Sequence, residues 1–157
     1  MQTNILETSV GREAKDRPVA FLDSNVILAY LQGKAPSSEL FDQEVRQKVR
    51  LASSDVVLQE VLFSFQDIRE RPELVQSLRD QLTILPVDIE LVESFLPRAR
   101  ALRNRIDHSN DILIVSSAAS CDFLVTYDIH LRDLEEGSMP EVVTPEELVV
   151  RLGLKVA

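Results

Sequence analysis

The segment SNDILIVSSAASCDFLVTYDIHL, residues 109 to 131, carries Asp111 ahead of a run of apolar and small residues and Asp128 behind it. Read as a helix from Asp111 to Cys121, the run climbs about ten steps of ~1.5 Å, or roughly 15 Å. After a turn at Asp122 the chain returns from Phe123 to Asp128 in extended form, about five steps of ~3.3 Å, or roughly 16 Å. An antiparallel helix and strand of equal length bring Asp128 back beside Asp111. Residues Ile112 to Val115 satisfy the pattern of a buried strand equally well; the continuation Ser116-Ser117-Ala118-Ala119-Ser120 favours a closely packed helix. A third acid, Asp23, follows the short β-prone run PVAFL (18 to 22). If both runs are parallel strands, their carboxyl ends share one edge of the sheet, where such sheets build their sites. Three carboxylates then converge there.

Crowded carboxylates repel, and their pKa values rise unless a cation holds them. Magnesium and manganese take oxygen ligands and keep waters and substrate phosphate oxygens in their shell, which suits a few acids in an open cluster. A single cysteine, Cys121, and two histidines exclude a cysteine-rich zinc centre and most histidine-based ones. Cys121 is read as a small buried residue.

These acids need elements to position them. A chain of 157 residues with 45% hydrophobic side chains can bury one core, and with few aromatics that core is Leu, Val and Ile. Residues 1–17 form a polar, patternless lead, expected to be poorly ordered, ahead of one domain over 18–157. After strand 18–22, Asn25 to Leu31 reads as a helix closed by Gly33. Leu40, Phe41, Val45 and Val49 predict one amphipathic helix over 37–50. Ser53-Ser54-Asp55 caps a second helix to 65 that carries Glu60 beside its apolar face. Further on, the pattern predicts a helix from Pro72 to about Gln81, a strand at 83–87, a helix from Asp88 to about Arg103 broken or kinked at Pro97, a strand at 123–126, and a strand and capped helix in EVVTPEELVVRLGL. Alternating strands and helices imply an α/β domain, a parallel sheet of four to five strands with helices on both faces. The lead has no secretory h-region and no apolar run reaches membrane-spanning length, so a reducing, cytoplasmic setting is expected.

With FLDSNVIL, SSDVVLQEVL, NDILIVSSA and LVTYD in this order, the chain resembles the PIN-domain family of metal-dependent ribonucleases over residues 18 to about 150. Each motif alone is weak; their order and spacing together are specific. The resemblance implies an acidic quartet at Asp23, Glu60, Asp111 and Asp128, accessory polar positions at Asn25 and Thr126, one or two Mg²⁺ or Mn²⁺ ions, and RNA as substrate. It also implies a toxin of a toxin-antitoxin pair, with an antitoxin protein as partner and a homodimer as assembly.

Charge stands against this. Seventeen basic and 26 acidic residues leave −9, and setting aside four acids for a metal site still leaves −9 + 4 = −5. An RNA substrate therefore requires a local basic patch. PRARALRNRID offers one: on a helix Arg98 and Arg105 share one face, Arg100 and Arg103 another. The same run also reads as the solvated face of a helix. Asp107 is read as a cap or a partner of Arg103, and His108 and His130 as surface histidines. A haloacid-dehalogenase-like phosphatase would need a second aspartate at position 25, where Asn25 stands. The other alternative is a non-catalytic PIN-like module that binds RNA or protein.

Overall fold

The structure, a computed structural model, describes residues 16–65, 71–101, 109–128, 131–132 and 140–155. Five parallel strands form one sheet in the order β3-β2-β1-β4-β5: β1 Val19–Leu22, β2 Arg50–Ser54, β3 Thr83–Leu85, β4 Phe123–Val125 and β5 Glu141–Val143. The helices are α1 Ser24–Leu31, α2 Gln43–Lys48, α3 Asp55–Ser64, α4 Pro72–Gln81, α5 Ile89–Ala101, α6 Ser109–Ala118 and α7 Pro145–Arg151, with a 3₁₀ turn at Ser37–Phe41. Consecutive Ala20, Phe21 and Leu22 in β1 are all fully buried, so both faces of the central strand are covered.

Two local expectations need correction. The helix expected over 37–50 is divided: Asp42 takes an extended conformation (ψ 149°) between the 3₁₀ turn and α2, and Arg50 already belongs to β2. The second point is β2 itself, RLASS, which the pattern did not reveal. Its inner residues Leu51, Ala52, Ser53 and Ser54 are buried, so they show no alternation, and Ala and Ser carry no β-branched signature. Their small side chains suit a strand packed against α2, α3 and α6. Ser53 Oγ satisfies itself on the Leu22 carbonyl at 2.9 Å, and Ser54 caps α3.

The remaining elements follow their local chemistry. Asp88 Oδ1 accepts from the Glu90 and Leu91 amides and opens α5, and Pro97 lies inside that helix. Ile112 to Val115 is helical, not extended. Thr144 and Glu147 close a reciprocal capping box on α7. Gly33, just beyond α1, has φ 68°, the left-handed geometry that glycine adopts without strain. Among the described residues, no helix is long and apolar enough to cross a membrane.

Candidate functional site

The strand order reverses between β1 and β4: the chain adds β2 and β3 on one side of β1, and β4 and β5 on the other. A parallel sheet opens a crevice at such a switch point, outside the carboxyl ends of its strands. Leu22 pairs with Val125 there, which sets Asp23 beside Thr126, and the Asp23 amide donates to the Val125 carbonyl at 3.0 Å.

Asp23 is at once the end of β1 and the N-cap of α1. Its Oδ1 accepts from the Ser24 amide at 2.7 Å, and its Oδ2 accepts from Thr126 Oγ1 at 2.8 Å. Thr126 is fully buried. Its hydroxyl also accepts from Asn25 Nδ2 at 3.2 Å and from the Asp128 amide at 3.0 Å. One donation and two acceptances saturate a hydroxyl, so this rotor is fixed. Asn25 completes the link by accepting from the Tyr127 amide through Oδ1 at 3.2 Å. Asn25 and Thr126 thus tie the loop after β4, and with it Asp128, to Asp23.

Removing that hydroxyl has a defined cost. Thr126→Val keeps the shape but unpairs Asp23 Oδ2, the Asn25 amide and the Asp128 amide, with an expected loss of about 2 kcal/mol in stability. Thr126→Ser keeps the bonds and should fall within about 1 kcal/mol of the parent. Urea denaturation of the metal-free protein compares them; equal stability of all three would contradict the network.

Glu60 lies on α3 and Asp111 in the first turn of α6. Helix α3 packs on α1 and α6, and α6 packs on β4, so the tertiary fold carries both acids toward Asp23. Asp23 is only 6% exposed. Burial pushes its carboxyl up to about 6; the Thr126 and Ser24 hydrogen bonds pull the other way, and the charges of Glu60 and Asp111 push it further up. Glu60 and Asp111 are therefore both within electrostatic reach of Asp23, and the Asp128 backbone is tied to Asp23 through Thr126. Glu60, Asp111 and Asp128 are half-buried.

Among the described residues, no three Asp, Glu, His or Cys side chains close around a common point as a metal would require. The chemistry of the donors nevertheless fits a hard divalent cation: carboxylate oxygens around a buried aspartate whose ionised form burial and like charge both disfavour.

Arg98 and Arg100 fall within α5, which packs on α6. Arg103, Arg105, Asp107, His108 and His130 lie outside the described residues, as do residues 1–15. Sequence reasoning missed Ser24, whose amide holds Asp23 Oδ1, and Tyr127, whose hydroxyl bonds the buried Ser37 at 2.7 Å. The N-cap pattern at Asp23 could have pointed to Ser24; nothing local marks Tyr127.

A family model described as PIN domain matches residues 20–137. No curated protein matches the chain in sequence. Among solved structures, VapBC2 from Rickettsia felis, bound to a DNA fragment from its promoter, is similar with TM-score 0.59 and 16% identity, over 80% of this chain and 98% of that one. VapBC-1 from nontypeable Haemophilus influenzae is similar with TM-score 0.60 and 18% identity, over 81% and 98%. At these identities the likeness is one of fold.

Proposed function

This chain belongs to the PIN-domain family, and from that membership we propose that it is a divalent-metal-dependent endoribonuclease. The observation that carries the reading is the buried Asp23 carboxyl at the switch point, with Glu60 and Asp111 as its like-charged neighbours and Thr126 joining it to Asp128.

In this reading Asp23, Asp111 and Asp128 hold one or two Mg²⁺ or Mn²⁺ ions, directly or through water, and Glu60 is a further ligand or orients the attacking water. When bound, such an ion acidifies a water and neutralises charge on the phosphodiester oxygens. Thr126 and Asn25 keep Asp23 and Asp128 in place, the kind of outer support on which metal sites depend. Arg98, Arg100, Arg103 and Arg105 are the proposed RNA contacts, a local basic run in a chain whose formal charge is −9.

The fold shared with the two VapBC structures supports a finer reading: a cytoplasmic toxin of a toxin-antitoxin pair, homodimeric, silenced when a segment of the antitoxin fills the acidic crevice. A gene for a small DNA-binding protein beside this one would support it.

The end groups of the product test the chemistry. Attack by water that breaks the P–O3′ bond leaves a 5′-phosphate and a 3′-hydroxyl, whereas attack by the RNA's own 2′-hydroxyl breaks the P–O5′ bond and leaves a 2′,3′-cyclic phosphate and a 5′-hydroxyl. Water-derived ends are expected; cyclic ends would overturn the mechanism.

A further inference from the structure

The amino-terminal edge of the sheet, opposite the acidic site, holds a cavity of about 330 Å³ between the entry to β1, helix α2 and the start of β2. Its described lining includes Arg17, Arg46 and Arg50 with Gln43, Gln47 and Gln81, and no acidic residue. In a chain with 26 acidic and 17 basic side chains this is a local reversal of charge. The ion pairs among the described residues use other arginines.

Two donors there lack an acceptor. The Nε atoms of Arg17 and Arg46 are buried without a hydrogen-bond partner, although Arg17 Nη1 does donate to the Arg46 carbonyl. These Nε atoms are covered by protein, so only the outer guanidinium nitrogens of the arginines can face the cavity. Three guanidinium groups line one cavity with no carboxylate among its described lining, so the ligand that offsets their mutual repulsion is an anion.

A carboxylate brings one charge and occupies one guanidinium fork. A phosphate brings up to two charges and enough oxygens to engage several forks and the glutamine amides together. We propose that this cavity is a phosphate-binding pocket, taking inorganic phosphate or the phosphate group of a nucleotide, and separated from the acidic site by the length of β1, on the order of 13 Å.

Calorimetric titration of the full chain in EDTA tests this, since without a divalent ion the acidic site repels phosphate. Inorganic phosphate, a nucleoside 5′-monophosphate and acetate are compared at equal ionic strength. Saturable phosphate binding is expected, weakened about tenfold or more by Arg46→Gln and by Arg50→Gln. Arg50 is exposed, so its variant keeps the test readable if Arg46→Gln misfolds. Tighter binding of the nucleoside monophosphate assigns the pocket to nucleotides; equal binding assigns it to inorganic phosphate. No saturable binding, acetate binding as tight as phosphate, or unchanged affinity in the folded variants would overturn the proposal.

Discussion

Asp23→Asn is expected to make the metal-free protein more stable at neutral pH while removing the proposed metal-dependent activity. The stability part follows from linkage. Burial first, then Glu60 and Asp111, raise the Asp23 carboxyl from 3.8 to about 6. Below pH 3.8 the folded and unfolded chains both carry the proton, and the group costs nothing. Between pH 3.8 and 6 the unfolded chain ionises while the folded one holds its proton, so stability falls as pH rises. Above pH 6 the cost is complete, at about 3 kcal/mol. The amide escapes this cost but accepts through one oxygen only, so one of the bonds from Ser24 and Thr126 is lost, at about 1 kcal/mol. A net gain of about 2 kcal/mol at pH 7.5, vanishing near pH 4, is what urea denaturation in EDTA should show. Divalent metal should then stabilise the parent and leave the variant nearly unchanged. A variant no more stable than its parent at pH 7.5 would refute this account of Asp23.

The second large effect concerns Asp111. Asp111→Asn is nearly isosteric and sits in the first turn of α6, so the fold should survive. Its negative charge near the helix amino end is worth under about 1 kcal/mol. Its loss from a metal site is worth far more: if Asp111 holds the ion, several kcal/mol of transition-state stabilisation go with it, or about 10³-fold in single-turnover cleavage. Glu60→Gln separates the two roles open to that residue. A loss of about 10- to 100-fold matches an orienter of water, and a loss equal to that of Asp111→Asn matches a ligand. Retained cleavage in Asp111→Asn, with an unchanged circular dichroism spectrum, would remove Asp111 from the site.

The parts of this arrangement that the sequence made legible are those set by local length and pattern. β1 ending at Asp23, and α6 returning through β4 to Asp128, follow from rise per residue and from capping chemistry. Glu60 could not be placed that way. It reaches the site only because α3 packs on α1 and α6, and nothing in its own neighbourhood encodes that contact; the family resemblance alone singled it out. Asn25 and Thr126 also came from the resemblance, and the hydrogen bonds of one saturated hydroxyl now give them a physical reason. β2 was missed because a strand buried on both faces and built from Leu, Ala and Ser shows neither alternation nor β-branching. The 37–50 helix failed for the opposite reason: its apolar spacing was sound, but an extended residue at Asp42 divides it.

The most direct measurement is cleavage of a mixed RNA pool by the purified full chain with Mg²⁺ or Mn²⁺, run beside EDTA and beside Asp111→Asn. Cleavage that requires both the metal and Asp111 is the expected result. Metal binding at the acidic site with no RNA cut under any of these conditions would contradict the nuclease assignment and leave a PIN-fold binding module in its place.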